Sequence, residues 1–242
     1  MNTKRNDSIP EDYINVIYGE DVKPLTSYPS VFTRYLFKKY KINDGAILLD
    51  FGCGRGEFLN GFIDMGVDGH GVDFTDAAIK ACPKATIKQA DIENDGLPYP
   101  DNYFDVVFSK SVIEHFHNPD ILIKEVYRCL KPGGLAIIMA PSWEHNYRIY
   151  FEDYTHRTPF MMPALKDILN IHGFNEVNVI FFKQLPILWG NLYWALNPLS
   201  FITRLVTPRI LSKYFKWVRF SKEIMLLSCL LYTSPSPRDV LR

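Results

Sequence analysis

A doubly wound α/β fold, with a mostly parallel sheet covered by helices on both faces, is what this 242-residue sequence predicts. Three observations carry the prediction. Short apolar runs alternate with stretches of helical period, several of those runs end in an acidic residue, and glycines gather just after the first run in "LLDFGCGRGEF". With 47% hydrophobic residues the chain is long enough for one well-buried domain.

The elements follow in order. Residues 31–40 have the spacing of a short amphipathic helix, and Asn43-Asp44-Gly45 turns the chain into a first strand over 46–49. Phe58, Leu59, Phe62 and Ile63 then recur at helical spacing up to a C-cap at Gly66. A second strand, "GHGVDF", ends at Asp73; Thr75 or Asp76 caps a helix from Ala77 that Pro83 stops; and "ATIKQAD" is a third strand ending at Asp91. "NYFDVVFS" supplies the fourth strand. Asn118 as N-cap and Pro119 at the first position open a helix expected to run as far as Gly133, and "LAIIMAP" is the fifth strand. A helix over 163–172 ends at Gly173, and "VNVIFF" and "KEIMLL" are the last strands. Crossovers of this kind place a ligand outside the carboxyl ends of the strands, where Asp50, Asp73 and Asp91 all lie.

Composition removes several classes of function. Lys plus Arg and Asp plus Glu both total 27, so no whole-molecule field attracts nucleic acid. Cys53, Cys82, Cys129 and Cys229 are isolated, which argues against a structural metal site and fits a reducing compartment, the cytoplasm. No metal is expected. The opening "MNTKRNDSIPEDY" has no apolar core behind its basic residues, so residues 1–30 read as a polar, flexible lead-in and not as a secretory signal.

The glycine turn sets which ligand fits. A dinucleotide fingerprint would place its third glycine at Glu57, and a P-loop would need Lys followed by Ser or Thr. Glu57 is a poor neighbour for a pyrophosphate, so a ligand without phosphates and with a positive charge fits better. Asp73 is placed to accept both hydroxyls of a ribose, Asp91 and the Ile92 amide to meet adenine, and Phe74 to pack on the base.

Four ordered motifs, "LLDFGCGRGEF", "GVDFTDAAI", "QADIENDGLPYPDNYFDVVFSKSVIEHF" and "EVYRCLKPGGLAIIMAP", resemble those of the class I S-adenosylmethionine-dependent methyltransferases, in the type 11 branch. The resemblance covers about 46–173. It implies a Rossmann-like sheet of seven strands with the last antiparallel, and S-adenosylmethionine as cofactor. Carried over, Asp50 with the amides around Gly52, Cys53 and Gly54 holds the methionine end, Asp73 binds the ribose, Asp91 and Ile92 recognise adenine, and Ser109 lies beside the cofactor.

Two segments reach the acceptor side. "SVIEHFHNP" offers Glu114, His115 and His117, and "WEHNYRIYFEDYTHRTPF" offers His145, Asp153, His156 and Arg157 with aromatic residues set among them, as in a lid or acceptor wall. His115, His156 and Asp153 are the candidate catalytic residues. The form "DYTHRTPF" ahead of a helix ending "HGF" looks like a pattern in bacterial methyltransferases of cell-surface glycan and lipid-linked sugar pathways. The expected acceptor is therefore small or lipid-linked, with an oxygen of a glycan precursor first and a quinone-like isoprenoid lipid second. A catalytically silent cofactor-binding partner subunit is the reading from another class.

From Lys183 to Lys222 there are seven basic residues and no acidic one. Pro186, Gly190 and Asn197-Pro198 break the uncharged stretch, which argues against a transmembrane helix. From Pro208, Ile210, Leu211, Tyr214, Phe215 and Val218 share one helical face, with Arg209, Lys213, Lys216 and Arg219 on the other. A basic amphipathic insertion over about 183–220 is expected, lying either on the inner face of an anionic membrane or as a cap on the domain. The methyltransferase domain is thus 31–229. The end, "LLYTSPSPRDVLR", breaks in composition and resembles translated adapter sequence, so 230–242 reads as a non-native or disordered tail.

Overall fold

The computed structural model describes residues 16, 19–21, 23–190, 192–208, 210, 211 and 214–231. Residues 1–15 of the expected lead-in and 232–242 of the expected tail lie outside them, as do Arg209, Lys213 and the side chain of Lys216. Seven strands form one sheet: β1 (Ile47–Phe51), β2 (Asp68–Asp73), β3 (Thr86–Gln89), β4 (Phe104–Lys110), β5 (Leu130–Pro141), β6 (Asn175–Lys183) and β7 (Ile224–Leu231). Their order is β3-β2-β1-β4-β5-β7-β6, with β7 antiparallel to both its neighbours and the other pairings parallel. The order reverses between β1 and β4, which opens a crevice above their carboxyl ends.

The helices are α1 (Tyr28–Lys39), α2 (Glu57–Ile63), α3 (Ala77–Ala81), α4 (Ile92–Asp95), α5 (Pro119–Cys129), α6 (Trp143–Asn146), α7 (Met162–Ile171), α8 (Tyr193–Val206) and α9 (Lys216–Lys222). Alternation along each strand divides the core between the two faces of the sheet. Leu49, Val107 and Ile138 meet Leu122, Val126, Leu165 and Leu169 of α5 and α7. Leu48, Val106 and Ile137 meet Phe32, Leu36, Leu59 and Phe62 of α1 and α2.

Three elements differ from expectation. Helix α1 begins at Tyr28, with Pro29 in its first turn, so its start lies within the stretch read as lead-in. Helix α5 stops at Cys129 instead of running to Gly133, because Pro132 disfavours a helical Lys131, and Lys131 instead pairs with Asp105 of β4 at 2.7 Å. Part of the basic helix expected from Pro208 lies outside the described residues, and among the described ones α9 covers Lys216–Lys222. Another helix lies earlier, as α8, and Thr207 is turned extended (φ −84°, ψ 135°) ahead of Pro208, which ends it. Of the five residues expected on one apolar face, Val218 of α9 is buried, while Ile210, Tyr214 and Phe215 are exposed. Among the described residues, no helix is long and apolar enough to cross a membrane.

The sheet depends on β7, the strand furthest along the chain, which fills the gap between β5 and β6. Leu226 of β7 is fully buried in the face that holds α5 and α7. Leu226→Ala should lower unfolding stability by about 2–5 kcal/mol in chemical denaturation. A loss below about 1 kcal/mol would mean that β7 packs more loosely than this.

Candidate active site

The glycine turn is built by steric exclusion. Gly52 has φ +76°, and a Cβ there would stand 2.3 Å from Val112 Cγ2, so the loop between β1 and β4 closes only around a bare backbone. The amides of Gly52 and Cys53 both donate to the Val72 carbonyl, at 2.8 and 3.1 Å, and the Gly54 amide donates to Asp73 Oδ2 at 2.8 Å. Gly52, Cys53 and Gly54 all line the cavity at this end of the sheet, about 1180 Å³ in volume. Their amides, expected at the methionine end, already donate to β2. What the loop offers a ligand is close approach.

Asp50, expected at the methionine end, lies just beneath this turn. It is buried and absent from the cavity wall. Burial and the nearby Asp73 push its carboxyl up to about 8, against the opposing pull of a hydrogen bond from the Leu59 amide. Leu59 is in the first turn of α2, so the buried Asp50 carboxyl lies close to the start of that helix. Ser109 is also buried within β4 and does not reach the cavity; Lys110, Ser111 and Val112 line it instead.

The residues expected at the nucleoside end share one wall. Asp73, Phe74, Asp91 and Ile92 all line the cavity. Asp73 Oδ1 accepts from the Thr75 amide (3.0 Å) and hydroxyl (3.1 Å), which fixes the carboxylate at the end of β2. Asp91 caps α4 by accepting from the Asn94 backbone amide at 3.3 Å, and also accepts from the Asn94 side-chain amide at 2.8 Å. Acids at the ends of adjacent strands, an aromatic wall and a side-chain-free turn together fit a cationic nucleoside such as S-adenosylmethionine.

The opposite wall comes from the segments after β4 and β5. A 3₁₀ turn, Ile113–His115, is tied to the 150–158 segment by amides of Arg157 and Thr158 donating to the Glu114 carbonyl, at 2.7 and 3.0 Å. The Thr158 hydroxyl donates to the Phe116 carbonyl, and the Tyr150 hydroxyl to the Thr158 carbonyl. This network brings His115, His156 and Asp153, the candidate catalytic residues, onto the same cavity wall. The two imidazole rings meet at 4.8 Å between centroids.

Their protonation follows from their partners. The Tyr150 carbonyl can only accept, so His156 carries its proton on the Nδ1 that contacts it, at 2.5 Å. Thr155 donates its hydroxyl to Asp153 at 2.6 Å, so it accepts from His115 Nδ1 at 2.8 Å. Each ring therefore keeps its lone pair on Nε2. Burial and the neighbouring His156 lower His115 to about 4, and burial lowers His156 as well, so both are neutral near pH 7.

Two residues of the site have surroundings that the sequence does not reveal: Glu114, already placed on the acceptor side, and Lys110. Glu114 is fully buried, neither carboxylate oxygen has a hydrogen-bond partner, and burial pushes it up to about 8 despite the pull of Lys110. Lys110 lies at the end of β4 with its ammonium 5.2 Å from the centre of the Phe58 ring, and burial lowers it to about 8. A charge closing the apolar run "FDVVFSK" is the one sequence sign of Lys110. Lys23, Tyr28 and Arg219 also line the cavity, although they come from distant parts of the chain.

Residues 49–138, which hold β1 to β4 and most of β5, match the family model described as "Methyltransferase domain". An uncharacterized methyltransferase of Mycobacterium leprae is 36% identical over 103 residues, 41% of this chain and 38% of its own length. The demethylmenaquinone methyltransferase of Lactobacillus johnsonii is 28% identical over 182 residues, 60% of this chain and 74% of its own. A SAM dependent methyltransferase from Archaeoglobus fulgidus has the same fold, with a TM-score of 0.63 at 22% identity over 89% of this chain and 98% of that one. The chain thus spans well under half of the length of the Mycobacterium leprae relative.

Asp73→Ala should weaken S-adenosylmethionine binding about ten- to a hundredfold in calorimetry, the cost of losing hydrogen bonds to a charged group. Asp73→Asn, which keeps an acceptor for the Gly54 amide, should lose less. Tight binding of NAD with no binding of S-adenosylmethionine would overturn this assignment.

Proposed function

We propose that the protein transfers a methyl group from S-adenosylmethionine to an oxygen of a small or lipid-linked acceptor, a hydroxyl of a sugar or related glycan precursor in the first instance. The observation that carries this reading is the pair of neutral imidazoles, His115 and His156, on the wall of the same cavity as Asp73, Phe74 and Ile92. When bound, S-adenosylmethionine supplies a methyl carbon on a sulfonium, which passes to the acceptor as the C–S bond breaks and its electron pair stays on sulfur. The chain's task is to orient the acceptor in line and exclude water. A hydroxyl must also shed its proton, and the Nε2 lone pairs of His115 and His156 are the neutral nitrogen bases on this wall. Asp153 acts at one remove, through Thr155, by holding His115 in the productive tautomer.

A quinone-like isoprenoid acceptor is the second reading, favoured by the Lactobacillus johnsonii relative and by the surface beside the cavity. Trp194, Leu199, Phe201, Ile202, Leu205 and Val206 of α8 are all more than half exposed. Such a face suits a protein that works in the cytoplasm and rests on the inner face of the membrane to meet a lipid-linked substrate.

With purified protein, S-adenosylhomocysteine measured by mass spectrometry should accumulate with a lipid-linked sugar, or failing that a prenylated quinol, and not without acceptor. His156→Ala should lower turnover by about 10²–10⁴ if proton transfer is at stake. Donor binding with no turnover on any acceptor would leave only a binding subunit. In flotation assays the protein should rise with anionic liposomes, and Trp194→Ser with Phe201→Ser should abolish this. A wild-type protein that stays in the soluble fraction would rule out the membrane contact.

A further inference from the structure

We propose that Glu114, His115 and His156 form a binding site for a divalent transition-metal ion, which holds the oxygen of the acceptor against the donor. This rests on the methyl-transfer reading above and deepens it. One donor atom from each of the three residues lies within 4.8 Å of the others. Around an ion bound at about 2.1 Å, tetrahedral donor atoms stand about 3.4 Å apart, so the site closes by modest side-chain rotation.

Two independent observations point to a ligand here. The first is Glu114. A fully buried carboxylate with both oxygens unpartnered is costly unless something meets it, and this one lines the cavity. The nearby Lys110 forms no ion pair with it among the described residues, where ammonium and carboxylate would have to lie within bonding distance. The second is the outer arrangement of the histidines. In metal sites a ligating imidazole gives its other N–H to a carbonyl or carboxylate, which fixes the ring and directs the free lone pair at the ion. His156 does so to the Tyr150 carbonyl, and His115 does so to Thr155 and through it to Asp153. Tyr150 is itself held by Thr158, so the supports of both rings belong to one rigid network.

Two imidazoles and one carboxylate suit Zn²⁺, Mn²⁺, Co²⁺ or Fe²⁺ better than Ca²⁺ or Mg²⁺, which prefer all-oxygen sites. Three protein ligands leave coordination positions open, as a catalytic ion requires. An acceptor hydroxyl bound there has its pKa lowered and releases its proton to water. Its oxygen then bonds to the methyl carbon as the C–S bond breaks with the electron pair left on sulfur. In this arrangement the imidazoles act through the ion and do not take the proton themselves. The acceptor class narrows to one that offers ligating oxygens, such as a sugar hydroxyl pair or a quinol.

The test is to strip the full chain with chelator and titrate it with Zn²⁺, Mn²⁺ and Co²⁺ by calorimetry, following Co²⁺ also by its visible absorption. One ion per chain and a Co²⁺ spectrum of mixed nitrogen and oxygen ligation are expected. Glu114→Gln and, separately, His156→Asn should each weaken binding about 100-fold while S-adenosylmethionine affinity stays within about twofold. Thr155→Val, which removes the support of His115 and no ligand, should weaken it about tenfold. Absence of stoichiometric binding, or affinity unchanged in both ligand variants, overturns the metal site and leaves methyl transfer standing if the donor still binds and turns over. Loss of donor binding in the unaltered protein overturns the functional reading instead.

Discussion

The hydrogen bond from the Gly54 amide to Asp73 is the constraint on which the rest of the site depends. It joins the turn after β1 to the end of β2, and the Gly52 and Cys53 amides reinforce it by converging on the Val72 carbonyl of the same strand. The turn is thereby folded flat over the sheet. Only glycine permits this at position 52, where a side chain would strike Val112. Asp50 lies buried beneath this turn, near the start of α2. A ligand thus meets a preformed surface whose polar groups already have partners, and close contact, not loose amides, is what the turn contributes.

The acceptor wall obeys a different logic. Its residues come from two segments, 113–117 and 150–158, that are far apart in the chain and joined by hydrogen bonds to the carbonyls of Glu114 and Phe116. These bonds hold His115 and His156 in defined tautomers and leave Glu114 buried without a partner. A buried carboxyl with neither oxygen hydrogen-bonded costs stability, even with the charge of Lys110 nearby. Neutral imidazoles and a high-pKa carboxyl around one point are what a site looks like when its charge balance awaits a ligand. Donor pocket and acceptor wall therefore differ in kind, the first satisfied within itself and the second open.

Much of the fold was legible because strand ends carry local signs. The apolar runs of β1 to β5, the acid at the end of β2 and Asn118-Pro119 at the start of α5 are all encoded within a few residues of where they act. Elsewhere distant parts of the chain decide. Asp50 and Asp73 look alike in sequence, each an acid in or at the end of a strand, yet one is buried off the cavity wall and the other lines it. Ser109 and Lys110 are adjacent, and strand alternation alone determines which of them reaches the site. The burial of Glu114 depends on the 150–158 segment folding over it, and nothing in "SVIEHF" announces that. Likewise the break between α8 and α9 rests on a single local rule, the restriction that Pro208 puts on Thr207, which outweighed the apolar periodicity further on.

The account stands or falls on the orientation of the nucleoside in the cavity, and a crystal structure with S-adenosylhomocysteine measures it directly. The adenine is predicted to lie between Phe74 and Ile92, the ribose hydroxyls on Asp73, and the sulfur on the side of Glu114, His115 and His156. A nucleoside bound the other way round, with its sulfur remote from the two histidines, would contradict the joining of donor and acceptor sites in one cavity.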